Sequence, residues 1–191
     1  MIVHVAENTY ECGSSQLEFS AADAAFLQKS HDTAENVLQI EHDTHLTIRY
    51  GVVDFDPSRV KKRIEYIEPI IVTIEDIDCF PNTKDGAAVY FKVKPTPDLL
   101  ELRAIVEEGC ECIPSTFPNY VPHITIGFFN PAAWRNEAEK IRAMYTFPFD
   151  IIADNFVFSE KTGKQFSFPL HKNHAANRIA HMIKTQMTEN S

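Results

Sequence analysis

The sequence predicts an α+β fold of two similar lobes, on three observations. A four-residue pattern occurs twice, as His45-Leu46-Thr47-Ile48 and His123-Ile124-Thr125-Ile126, 78 residues apart. Each copy is followed by a helix signal and then by two strand patterns. The chain has 191 residues, enough for one sizeable core or two small lobes and too few for two ordinary domains.

Both copies read polar, apolar, polar, apolar, and successive side chains of a strand point to opposite faces. Alternation therefore places His45, Thr47 and Arg49 on one face, and His123, Thr125 and Gly127 on another. Leu46, Ile48, Ile124 and Ile126 point into the core beneath.

The remaining elements follow in order. A short strand is expected near residues 2–5, then a turn at Gly13-Ser14-Ser15. Ser20 caps a helix with Ala24, Phe26 and Leu27 on its apolar side, and a second helical turn lies over 34–38. The first histidine strand spans 45–52. Asp56-Pro57 then gives a cap followed by proline, and Val60, Ile64 and Ile67 form the stripe of that helix. A strand over 70–80 turns back through 81–86 into 87–93, a hairpin. Thr96-Pro97 repeats the cap-and-proline device for a helix that ends near Gly109. After a loop over 110–122 comes the second histidine strand, then a helix containing Trp134, Ala138 and Ile141, then strands over 147–158 and 165–170. This divides the chain into an N-terminal strand and helical elaboration (1–38), a core (39–170) and a polar, weakly helical tail (171–191).

Composition limits the substrate. The formal net charge of −9 is wrong for gripping long RNA or DNA, where displaced counterions drive binding to a basic surface. A small phosphate ester neutralised in a local pocket is the better fit. No apolar run approaches the ~20 residues that a membrane span needs. The opening Met1-Ile2-Val3-His4-Val5 lacks the features of an export signal, which predicts a cytoplasmic protein with Cys12, Cys79, Cys110 and Cys112 reduced. Nothing indicates oligomeric state.

Two histidines flanked by hydroxyls suit metal-independent cleavage of a phosphodiester. One imidazole accepts a proton while the other donates one, and Thr47 and Thr125 bond the non-bridging oxygens as charge builds there. Arg49 is a candidate for added positive charge, and Gly127 for close approach of a ligand. Tyr10, Tyr50, Phe117, Tyr120 and Trp134 are candidate partners for bases. A two-histidine metal centre needs a further ligand, for which Asp43 stands near the first copy, but the second copy has no counterpart. No metal and no cofactor are expected.

The paired His-x-Thr triplets resemble the 2H phosphoesterase superfamily over roughly residues 42–170. This resemblance implies a bilobal α+β fold, with two pseudo-symmetric antiparallel-sheet lobes, outer helices and a central cleft lined by both triplets. Arg49-Tyr50-Gly51, Phe80-Pro81-Asn82 and Phe117-Pro118-Asn119-Tyr120-Val121-Pro122 make the chain most similar to phage-type members. Those include anti-CBASS phosphodiesterases, which destroy cyclic oligonucleotide alarm signals in the host cytoplasm. The implied activity is hydrolysis of the 3'–5' bonds of cyclic di- or trinucleotides. Arg49 departs from the phage-type pattern, where an aliphatic residue is usual. It is familiar from the RNA-ligase-like and 2',3'-cyclic phosphodiesterase branch, so an RNA-end enzyme stays open as an alternative, as does a non-catalytic nucleotide-binding module.

Overall fold

A computed structural model describes residues 3–4, 12–64, 67–115 and 119–170. Ten strands form one sheet flanked by four α-helices, the α+β architecture expected from the sequence. In chain order the strands are β1 (Val3–His4), β2 (Gly13–Phe19), β3 (Val37–Ile40), β4 (His45–Phe55), β5 (Ile70–Thr83), β6 (Gly86–Val93), β7 (Cys110–Cys112), β8 (His123–Phe129), β9 (Phe149–Ser159) and β10 (Gln165–Pro169). The helices are α1 (Ala21–Gln28), α2 (Pro57–Ile64), α3 (Pro97–Gly109) and α4 (Trp134–Arg142). None of the described helices is long and apolar enough to cross a membrane.

Local chemistry sets the helix starts. Ser20 Oγ accepts the Asp23 N–H at 3.2 Å, and Thr96 Oγ1 accepts the Leu99 N–H at 3.4 Å ahead of Pro97. Asp56 Oδ1 accepts the Ser58 N–H at 2.8 Å at the head of α2. Val60 and Ile64 of α2, and Leu99, Leu102, Ile105 and Val106 of α3, are buried in the common core.

Sheet order is β3-β8-β6-β5-β9-β2-β4-β7, with β10 on β9 and β1 on β10. The order separates β4 and β8 by four strands, yet the two come close without pairing. The sheet therefore curls, and the strands carrying the histidines meet across its concave side. Each repeat consists of a histidine strand, a helix and a hairpin. The hairpin of the first repeat (β5–β6) extends the sheet beside β8, whereas β9 of the second lies beside β2, next to β4.

Two local expectations are overturned. Gly13-Ser14-Ser15 is not a turn but the start of β2, paired on one side with β4 and on the other with β9. Ser15 and Leu17 are fully buried there, so two-sided pairing outweighs the local turn signal. The second helical turn expected over 34–38 gives way to β3. Helical structure after α1 is a 3-10 turn over Lys29–Thr33, and Val37 already pairs with Phe129.

Candidate active site

His45 and His123 each open a strand, and each is held in the same way. His45 Nδ1 lies 2.6 Å from the carbonyl oxygen of Asp43, and His123 Nδ1 lies 2.7 Å from that of Val121. A carbonyl only accepts, so Nδ1 is the protonated nitrogen in both rings. Nε2 of each ring is thereby left to accept a proton in the neutral form and to donate one in the charged form. The rings sense each other, since charge on His45 is among the causes that lower the His123 pKa.

Pairing registers show which residues share the histidines' face. Along β4, His45, Leu46 and Thr47 oppose Glu18, Leu17 and Gln16, after which Arg49 opposes Ser15 and Tyr50 opposes Ser14. Ile48 is skipped, a bulge. Along β8, His123, Ile124 and Thr125 oppose Lys92, Phe91 and Tyr90, after which Gly127 opposes Val89 and Phe128 opposes Ala88. Ile126 is skipped, so the bulge repeats at the equivalent place. Directly opposed residues of an antiparallel pair share a face. Each bulge therefore turns the residue after the isoleucine toward the core and returns the next one to the histidine face.

This corrects the shared-face expectation for Arg49 and Gly127. Arg49 is buried on the helix side of β4. Its Nη1 donates to the Tyr50 carbonyl at 2.7 Å and its Nη2 to the Ile113 carbonyl. Its Nε forms an ion pair with Glu107 of α3 at 3.1 Å, without the alignment of a hydrogen bond. Gly127 serves packing, because a Cβ there would lie 2.6 Å from the Gln39 carbonyl oxygen of β3.

Other sequence candidates sort by the same geometry. Tyr50 is 62% exposed and stands on the face of His45 and Thr47. Tyr120 is occupied otherwise. Its hydroxyl donates to the Thr47 carbonyl at 2.9 Å, and the Arg103 guanidinium covers one face of its ring at 4.5 Å. Trp134 comes after the far end of β8, a strand about 20 Å long at strand rise that starts at His123, and it packs on the core beneath Arg135. Tyr10 and Phe117 lie outside the described residues.

Four neighbours of the histidines escape a local reading of the sequence. Glu18 lies opposite His45 and accepts a 2.9 Å bond from the Asn155 amide, which in turn accepts from Ser167 at 2.8 Å. Lys92 lies opposite His123 and forms a 4.0 Å ion pair with Glu75. Phe80 and Tyr90 pack on each other at 4.5 Å and both touch the His123 ring, each with its centroid 5.1 Å away. The 2-residue alternation of β6 puts Tyr90 and Lys92 on one face, and pairing with β8 brings that face to the histidine.

The electrostatics of the two rings differ. Burial pushes the His123 imidazole below its ordinary value, charge on His45 adds to this, and the bond to Val121 opposes it. His45 has the Asp43 carboxylate 3.9 Å from Nδ1, an attraction that holds when the ring is charged. Burial, with Asp78 nearby, raises the Tyr90 phenol to about 12, so it stays a neutral hydroxyl beside His123. Among the described residues, no three His, Cys, Asp or Glu side chains are placed to hold a metal ion. A cavity of about 200 Å³ lined by Val52, Asp54, Phe158 and Lys161 contains neither histidine.

The family model of the 2'-5' RNA ligase superfamily matches residues 40–165, which span both triplets. The chain belongs to this superfamily. As a member of this 2H phosphoesterase group it is a phosphodiesterase hydrolase. Solved structures with the same fold include TT0787 of Thermus thermophilus (14% identity, TM-score 0.52, covering 84% of this chain and 95% of that one). Kluyveromyces marxianus Usb1 is also similar (11%, TM-score 0.54, covering 83% and 98%). So is E. coli LigT complexed with 3'-AMP (15%, TM-score 0.52, covering 84% and 95%). No curated protein sequence matches the chain.

Proposed function

We propose that the protein is a metal-independent phosphodiesterase that opens 3'–5' bonds of cyclic di- or trinucleotides, with His123 as base and His45 as acid. The observation that carries the reading is the matched pair of imidazoles, each anchored through Nδ1 to the carbonyl two residues back and leaving Nε2 for proton transfer. The lowered pKa of His123 keeps it neutral and ready to accept a proton, which leaves the donor's part to His45, with the Asp43 carboxylate 3.9 Å from its Nδ1.

In this scheme the 2'-hydroxyl oxygen of a bound nucleotide attacks phosphorus as its proton passes to His123 Nε2. The O2'–P bond forms and the P–O5' bond breaks, and His45 Nε2 gives its proton to the departing O5'. A ring-opened product with a 2',3'-cyclic phosphate end results, which water can open with the two histidines in exchanged roles. Thr47 and Thr125 donate to the non-bridging oxygens, and Lys92 supplies the cation on this face that Arg49 does not. Tyr50 in one lobe, and Phe80 in the other, offer aromatic surface to the bases.

A net charge of −9 supports a small substrate over long RNA, and Arg49, buried and ion-paired with Glu107, is not offered to an RNA end. The resemblance of Phe80-Pro81-Asn82 and of residues 117–122 to phage-type members is what supports a role in disarming a cyclic oligonucleotide defence. Incubation with 3',3'-cyclic GMP–AMP in EDTA tests the proposal: a linear product is expected, and intact nucleotide after prolonged incubation sinks it. The match to the 2'-5' RNA ligase superfamily favours a second reading, hydrolysis of 2',3'-cyclic phosphate ends. Faster turnover of a 2',3'-cyclic mononucleotide than of the cyclic dinucleotide would select it. Tight binding of either compound without turnover would select a binding module.

A further inference from the structure

Tyr120 stands three residues before His123, in the segment that leads the chain into β8, but its hydroxyl reaches the other motif. It donates to the main-chain carbonyl of Thr47 at 2.9 Å. The tyrosine is held in place by a chain of charged groups. Arg103 lies over its ring at 4.5 Å and pairs with Glu107 one helical turn on at 2.9 Å. Glu107 in turn lies 3.1 Å from Nε of Arg49, which is itself part of β4. The path from Thr47 through Tyr120, Arg103 and Glu107 thus returns to the strand where it began, two residues along. Burial raises the Tyr120 phenol well above its ordinary value, against the pull of Arg103, so the hydroxyl keeps the proton it donates.

A bond from the approach to one histidine strand onto the backbone of the other fixes a distance that neither strand sets alone, because four strands separate them in the sheet. We propose that Tyr120 is a positioning residue whose hydroxyl sets the gap between the two motif strands, and with it the space the two imidazoles share. The proposal rests on reading the histidines as a proton-transfer pair. Misplacement of about 1 Å in such a pair can cost on the order of a hundredfold in rate without loosening ground-state binding.

The test is Tyr120→Phe, which keeps the ring under Arg103 and removes only the donor. On whichever phosphodiester the wild type turns over, kcat is expected to fall about ten- to a hundredfold with KM within about twofold. A second readout needs no substrate. In NMR titrations, His45→Ala is expected to raise the His123 pKa in the wild-type background by relieving repulsion, and to raise it clearly less in the Tyr120→Phe background, where the rings have separated. Arg103→Gln, which frees the ring but keeps the hydroxyl, should move both readouts the same way by a smaller amount. It also serves if the phenylalanine variant does not fold. A variant with lowered Tm but wild-type kcat and an unchanged His123 response would reduce Tyr120 to a packing residue and overturn the proposal. If the wild type cleaves no phosphodiester, the functional reading fails, and the titrations alone decide the strut.

Discussion

The two histidine strands share a motif, a bulge and a way of holding the ring, but their neighbours oppose one another. His45 faces Glu18 across the strand pair and has Asp43 beside it, whereas His123 faces Lys92 and lies against the neighbouring rings of Phe80 and Tyr90. One ring has a carboxylate 3.9 Å from its Nδ1, while burial holds the other below its ordinary pKa. A symmetric motif becomes an unsymmetric pair through residues that are not part of it. The same contrast holds one step along each strand. The slot behind the bulge is filled by the ion-paired Arg49 against α3 in the first half, and by the backbone of β3 pressing on Gly127 in the second.

The strongest way to break this comparison is to remove each ring. His45→Ala and His123→Ala are each expected to lose about 10³-fold in kcat with unchanged circular dichroism. A substrate with a p-nitrophenol leaving group sharpens the test, since it leaves without a proton. It should restore much of the rate to His45→Ala and little to His123→Ala, and the reverse result would exchange the acid and base roles. Next in size, Thr47→Ala and Thr125→Ala should each lower kcat by about 10²-fold with smaller changes in KM. An effect confined to KM would mean that the hydroxyls bind the ground state alone.

The slot behind the bulge gives a stability contrast. Gly127→Ala drives a Cβ against the Gln39 carbonyl and should cost about 1–3 kcal/mol in urea unfolding. Arg49→Met keeps the volume but loses the ion pair with Glu107 and the bonds to the Tyr50 and Ile113 carbonyls, for a cost of about 2–4 kcal/mol, with kcat within a few-fold of wild type. A large loss of activity in Arg49→Met would return the guanidinium to the reaction. The smallest effect concerns pH. His123 has a folded pKa below its unfolded value, so between the two the unfolded chain binds more protons and stability rises with pH. That slope, just below the ordinary histidine value, should be missing from His123→Ala. The acid limb of kcat/KM should likewise lie below that value, as a property of the coupled pair.

Much of this was legible in the sequence, since the His-x-Thr-Ile strands, the capped helices and the hairpins depend on local chemistry. The bulges were not. Skipping Ile48 and Ile126 is a property of pairing with β2 and β6, and simple alternation placed Arg49 and Gly127 on the wrong face. β2 was hidden for a related reason. Gly13-Ser14-Ser15 carries turn chemistry, and only neighbours on both sides make a buried strand of it. Glu18 and Lys92 gain meaning only from the residue each comes to oppose.

The sheet order has a consequence for the integrity of the chain. β8 is inserted between β3 and β6, and β9 between β5 and β2, so strands from after Gly109 alternate with strands from before it. A polypeptide cut at that glycine would yield two pieces, each with gaps where the other belongs. Neither piece is expected to work alone, and activity is expected to return only when the two are mixed.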